Sequence, residues 1–227
     1  HGPVRPAEKD RARIDTYFDP LPLWYEPFEG TRIDPAAFPL HAITQRPMQM
    51  YHSWHSQNAW LRQITGRNYL FVNRASARNL GLADEDWVWV SSHVGRIRAQ
   101  IKLMDGVNPD TVWTWNAIAK RAGAWNLAAD SPEFQKGFLL NHLIAEMLPE
   151  SGAGRQANAD PITGQAAWYD LRVRIEKALP ADAGRSAPEY AALLHPASLA
   201  PAPAILRYGA ASGGAGARAA ESGEAGR

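Results

Sequence analysis

The 227-residue chain contains no cysteine. That absence excludes disulfides, thiolate-ligated zinc, iron–sulfur ligation and a thiol nucleophile within this chain, and it leaves the redox compartment unreadable. No run approaches the roughly 20 apolar residues that a membrane-spanning helix needs. Charge of one sign is scarce as well. The formal net charge is +1, so no bulk attraction to nucleic acid is expected. Neither a Gly-rich dinucleotide loop nor a Walker loop appears, and no nucleophile–base–orienter set stands out. The chain starts at His1, without an initiator Met and without a signal peptide or twin-arginine segment. Residue 1 is therefore expected to be a cut inside a longer polypeptide.

What is present is ordinary globular chemistry, with 45% hydrophobic and 21% charged residues, and an unusual number of tryptophans, nine. Residues 1–37 are rich in proline, charge and aromatics. Prolines at 20, 22, 27, 35 and 39 disfavour long helices and ladder pairing, so an irregular lead-in is expected. Residues 41–116 carry strand signals. YLFVN, WVWVSS and RIRAQIKL are β-rich or alternating, and Gly95 marks a hairpin between the last two. ASARNLG predicts a short helix closed by Gly81. SPEFQKGFLLNHLIAEML has helical spacing, with Ser131 as N-cap and Glu133 in the first turn. AWYDLRVRIEKAL reads as a final strand. From residue 180 the chain turns to Ala, Gly, Pro and Ser, which predicts a disordered tail over 180–227. The expected fold is mainly β with short helices (α+β), a closed barrel of six or seven strands.

Functional chemistry concentrates in ITQRPMQMYHSWHSQNAWLRQI, residues 43–64. Arg46 follows a short apolar strand, where its guanidinium can grip a phosphate with two hydrogen bonds. Ser56, Gln57 and Asn58 precede the helix candidate AWLRQI and can either bind an anion or simply cap the helix. His52 and His55 have a spacing that metals use, but no third ligand is near in sequence, so hydrogen bonding is the favoured role. Asp160 in NADPITG is either a turn residue or a partner for an amino-pyrimidine edge. Trp113, Trp115 and Trp125 can wall a flat ligand, fill the core or face another domain.

The order of the segments PLHAITQRP, HSWHSQNAWLRQI, LFVNRASARNLGLADEDWVWVSSHVGRIRAQIKLMDGVNPDTVW and NADPITGQAAWYDLRVRI resembles the C-terminal domain of the dimethyl sulfoxide reductase family. The resemblance covers about residues 38–178. It implies a double-psi β-barrel over 38–179 that covers a molybdenum bis(molybdopterin guanine dinucleotide) cofactor. By position it implies that Thr44 and Arg46 contact the pterin or pyrophosphate region. His52, His55, Ser56, Gln57 and Asn58 would line the dinucleotide, and Asn141 and Asp160 would sit near the guanine or pterin amines. Gln45 departs from the glycine many relatives carry there. No catalytic residue and no metal ligand is implied in this chain, and any iron–sulfur cluster is expected only in the missing N-terminal part. HSWHSQN, WNAI and GAWNL resemble catalytic subunits for inorganic sulfur compounds, with sulfite oxidation favoured. The alternatives are polysulfide, thiosulfate, tetrathionate, formate, nitrate or an arsenic oxyanion as substrate, or a stand-alone double-psi barrel that acts as a binding module. The implied partners are the N-terminal domains of the same polypeptide, a membrane quinone-reactive anchor and an iron–sulfur electron-transfer subunit. A cytoplasmic, membrane-associated location is implied, with a periplasmic one as the alternative.

Overall fold

Apolar alternation turns into strands wherever β-branched and aromatic residues cluster. In the computed structural model these are β1 (Leu40–Gln45), β2 (Leu70–Val72), β3 (Trp87–Ser91), β4 (Gly95–Leu103), β5 (Thr111–Trp115), β6 (Leu171–Lys177) and β7 (Glu189–Tyr190). Among the described residues three α-helices accompany them: α1 (Glu8–Tyr17), α2 (Ala59–Ile64) and α3 (Arg74–Asn79). The structure describes residues 5, 7–17, 21, 33–52, 54–56, 58–116, 118, 128, 131–144, 165 and 170–190. Of the tail expected to be disordered, 180–227, residues 191–227 lie outside them.

The strand order is β2-β5-β1-β6-β3-β4-β7, and a further pairing of β2 with β4 closes the first six into a ring. Two of the six pairings are parallel: β1 with β5, His41↔Thr111 to Gln45↔Trp115, and β2 with β4, Leu70↔Ile101 to Val72↔Leu103. The other four are antiparallel. This is a double-psi β-barrel, and its closure removes the open edges that a flat sheet would expose. The registers also sort the strand ends. The C-terminal ends of β1, β3 and β5 gather at one end of the barrel with the N-terminal ends of β2, β4 and β6.

Alternation decides what fills the barrel. Ile97, Ala99 and Ile101 of β4 point inward, as do Leu171, Val173 and Ile175 of β6, and Leu70, Val72, Val88, Val90 and Val112 are fully buried with them. Arg96, Arg98, Gln100 and Lys102 alternate with the β4 core residues and lie on the outer face.

Several local expectations hold. Asn73 caps α3, its side-chain oxygen accepting from the Ala75 and Ser76 amides at 2.8 and 3.4 Å. Gly81 ends it with φ of 67°. The Leu82 N–H donates to the Ala77 carbonyl and the Gly81 N–H to the Arg78 carbonyl, which is a Schellman closure.

Other expectations are corrected. The lead-in is not wholly irregular, because α1 occupies Glu8–Tyr17, between Pro6 and Pro20. The helix expected over SPEFQKGFLLNHL breaks into two 3-10 turns, Pro132–Lys136 and Leu140–Leu143. Gly137 between them is extended, with φ −159° and ψ 160°, and Phe138 donates its N–H to the Ile118 carbonyl instead of continuing a helix. Ser131 and Glu133 keep their expected cap positions.

Strand pairing also runs past residue 179. β7 pairs with the start of β4, Gly95↔Tyr190 and Arg96↔Glu189. This pairing is what requires a glycine at 95. A Cβ there would collide with the Glu189 carbonyl oxygen and sit 2.9 Å from the Tyr190 Cα. Gly95→Ala is therefore expected to prise β7 from β4 while the six-stranded ring stays closed. The overpacking costs about 1–3 kcal/mol. Amide hydrogen exchange checks this: protection should fall at β7 and persist at Val90 and Ile101.

Candidate functional site at one end of the barrel

The parallel pair β1–β5 delivers two polar residues to the same place. The strands run in register to Gln45↔Trp115, and the Asn116 N–H donates to the Gln45 carbonyl at 2.7 Å. Arg46 and Asn116 therefore leave the barrel together. Arg46 is exposed, whereas Asn116 is buried at 8% exposure. The loop after Arg46 folds back over this end. Met50 and Ser56 are buried within it, and His52 takes a left-handed backbone, φ 51°, a conformation that β-carbon sterics make uncommon. The Asn116 side-chain nitrogen lies 3.3 Å from His52 Nδ1. The Asn116 Oδ1 is buried and finds no hydrogen-bond donor among the described residues. A buried carbonyl without a donor costs about 1–3 kcal/mol unless something supplies one, so this atom is poised to receive an N–H.

Asn68 holds the floor of the site. Its side-chain nitrogen donates to the Trp115 carbonyl at 2.9 Å and the Phe138 carbonyl at 3.4 Å, and its side-chain oxygen accepts from Thr114 Oγ1 at 2.9 Å. Its own N–H donates to the Lys136 carbonyl at 2.7 Å. One fully used amide thus ties the end of β5 to the turn at Pro132–Lys136. Arg62 of α2 reaches the same turn, 2.5 Å from Glu133, and Lys136 joins that carboxylate at 2.5 Å. Between these elements lies an open depression of about 500 Å³ lined by Ile64, Thr65, Gly66, Arg67, Tyr69, Trp115 and Lys136. Its walls combine an indole, a phenol and two cations, a mixture suited to a flat anionic molecule. At the same barrel end, burial holds the His93 imidazole below its ordinary pKa and favours the neutral form.

The residues singled out from the sequence divide into groups. Arg46, His52 and Ser56 come together at this end. Thr44 is in register with Thr114 but, at 6% exposure, lies on the inward face of β1 with Leu40 and Ala42. His55 and Asn58 are exposed. The Asn58 side chain is committed to the start of α2, accepting from the Trp60 and Leu61 amides at 3.0 and 3.3 Å, so it serves as a cap. Asn141 is exposed on the turn Leu140–Leu143. That turn packs at the β3–β4 hairpin, with Ser92 Oγ donating to the Leu143 carbonyl at 2.7 Å. Gln57, Asp160 and Trp125 lie outside the described residues. Among the described residues, no three His, Asp or Glu side chains converge as a metal site. Trp113 and Trp115 are engaged internally, with Trp113 stacked on Phe71 at 4.0 Å and edge-on to Trp115 at 4.8 Å.

Asn68 and Asn116 were not singled out as site residues. Their sequence signal is slight, a lone asparagine one or two positions beyond a β-rich run, in NYLFV and in TVWTWN.

Comparison with known proteins settles what this arrangement belongs to. Residues 40–159 match the family model described as Molydopterin dinucleotide binding domain. The chain belongs to this family. It is 54% identical, over 187 residues covering 82% of its length, to a sulfite dehydrogenase subunit of Allochromatium vinosum. It is 33% identical, over 51% of its length, to the menaquinone reductase molybdopterin-binding-like subunit of Nitratidesulfovibrio vulgaris. Among solved structures it resembles the acetylene hydratase of Pelobacter acetylenicus, with a TM-score of 0.52 over 70% of this chain at 17% identity, a likeness of fold. The chain spans 19%, 14% and 22% of these three proteins. As a member of the molydopterin dinucleotide-binding family, the chain brings to that fold the depression described above, with Arg46 and Asn116 at the same barrel end.

Proposed function

We propose that this chain is the cofactor-covering part of a molybdenum bis(molybdopterin guanine dinucleotide) oxidoreductase that acts on an inorganic sulfur compound, with sulfite oxidation as the favoured reaction. The observation that carries the binding role is the placement of Arg46 and the donor-seeking Asn116 Oδ1 at the shared end of β1 and β5. A dinucleotide of this class offers pyrophosphate oxygens, which a guanidinium grips, and amino edges, which a buried amide carbonyl accepts. His52, positioned by Asn116, and Ser56 add polar contacts. Asn58 acts by holding the start of α2. Thr44 supports the site from inside the barrel, and His55, Gln57, Asn141 and Asp160 complete the proposed set on the strength of the family resemblance.

When bound, the cofactor supplies the redox chemistry, while the protein binds, orients and shields it. That division of labour fits a site rich in binding groups. The substrate rests on the 54% identity to the sulfite dehydrogenase of Allochromatium vinosum. The rest of the polypeptide is proposed to dock on the exposed apolar residues beside the site, Met48, Tyr51, Trp54, Trp60 and Ile64. Further proposed partners are a membrane quinone-reactive anchor and an iron–sulfur subunit, with the assembly at the cytoplasmic side of the membrane.

The expected outcome is that the purified 227-residue chain shows no sulfite-dependent reduction of an artificial electron acceptor. The complete enzyme, expressed with cofactor assembly, should show it. A complete enzyme that carries molybdenum and oxidises formate or reduces nitrate, but leaves sulfite untouched, would overturn the substrate.

A further inference from the structure

The outer face of β3 and β4 carries an arginine–tryptophan ladder. The Arg98 guanidinium stacks 4.0 Å over Trp87, and Arg67 approaches the same ring at 5.8 Å. Arg96 and Arg185 flank Trp89 at 4.2 and 5.0 Å. The charges on this face do not balance. Arg96 pairs with Glu189 at 2.7 Å, and Arg185 pairs with Asp182 at 2.7 Å and with Glu189. Arg67 donates to neutral oxygens, the Gln100 side chain at 2.8 Å and the Gln135 carbonyl at 3.0 Å. Four guanidinium groups thus face two carboxylates among the described residues.

Arg98 carries the imbalance. The residue is 9% exposed, and its Nε and Nη1 are buried with no hydrogen-bond partner among the described residues. It borders a small cavity whose lining includes Trp87, Gln100, Arg185 and Ser186, and no carboxylate. The free volume there is about 10 Å³, room for one water-sized particle. The character of the free groups decides between a water and an ion. The side-chain oxygens of Gln100 and Asn68 are already engaged, by Arg67 and Thr114. The Ser186 hydroxyl also lines the slot, but the groups left wholly unsatisfied are the charged Arg98 N–H groups, which are donors only. A buried water needs acceptors as well as donors, whereas an anion needs donors alone. Asp182 acts on Arg98 through space but makes no hydrogen bond to its Nε or Nη1, and a buried guanidinium without a contacting counter-charge is strongly unfavourable.

We propose that this slot binds a small monovalent anion of chloride size, held by Arg98 with Arg185 at its rim. The slot shares Asn68 with the floor of the dinucleotide site but does not depend on what binds there. The test uses the 227-residue chain and bromide as the probe. Crystals grown or soaked in sodium bromide should show an anomalous bromine peak beside Arg98 Nε or Nη1. Melting in sodium chloride or bromide should exceed melting in sodium gluconate at equal ionic strength by about 2–4 °C, with a saturable dependence on halide. Arg98→Gln should abolish the halide-specific increment, and Arg185→Gln, at the exposed rim, should weaken it. A slot that holds only water in bromide-soaked wild-type crystals would overturn the proposal. So would an equal rise in halide and gluconate, or a halide increment that survives in Arg98→Gln.

Discussion

Replacing Arg46 by alanine in the complete enzyme is expected to cut cofactor retention about 10–100-fold, read as molybdenum and releasable guanine nucleotide per polypeptide. The figure follows from the charge-assisted hydrogen bonds that a guanidinium makes to pyrophosphate, about 1.5–3 kcal/mol when lost. Arg46 is exposed immediately beyond β1, so its removal leaves the barrel core intact. The melting temperature of the chain should therefore change little while the cofactor content falls. Arg46→Lys should restore part of the content, because an ammonium supplies charge without the planar two-point geometry. Normal cofactor content in Arg46→Ala would remove this residue from the site.

The second large effect concerns barrel closure. Leu70 is fully buried, and its backbone pairs on one side with Ile101 of β4 and on the other with Thr114 of β5. It sits in the shortest strand of the ring, three residues long. Leu70→Ala deletes packed methyl groups at the seam that joins the two parallel pairs. Such truncations cost about 2–5 kcal/mol, which for a domain of this size lowers the melting midpoint by about 4–20 °C. Leu80→Ala, at a position 47% exposed just after α3, should cost less than about 0.5 kcal/mol. Urea unfolding of the two variants separates the cases. The Leu70→Ala midpoint should fall at an unchanged slope, and equal midpoints would contradict the closed-barrel account.

Much of the barrel was legible because its strands advertise themselves locally. RIRAQIKL alternates along its length, and the structure places its apolar residues inward and its arginines outward. Asn58 and Asn73 stand where helix caps belong, and both accept the expected backbone amides. Features set by distant partners were not legible. Gly95 reads as a hairpin glycine, yet its necessity comes from β7, which crosses it some 95 positions later. SPEFQKGFLLNHL has the spacing of a helix, but tertiary bonds from Phe138 to Ile118 and from Asn68 to Lys136 and Phe138 draw it into two short turns. α1 was missed because EKDRARIDTY shows no apolar stripe.

The candidate site divides the same way. Arg46 was legible because a strand end followed by a guanidinium is a local pattern. Asn68 acquires its role only through Thr114, 46 positions away, and Asn116 only through His52, 64 positions away. For Asn58 the sequence left ligand and cap open, and the side-chain oxygen takes the cap role.

The account rests on the dinucleotide lying at the barrel end where β1 and β5 finish. Titrating the isotope-labelled 227-residue chain with guanosine diphosphate, and following backbone amide shifts by NMR, tests this most directly. The predicted result is saturable shifts at Arg46, His52 and Asn116, with none at Arg74–Asn79 and Met104 on the opposite end. Shifts confined to that opposite end, or none at millimolar nucleotide, would contradict it.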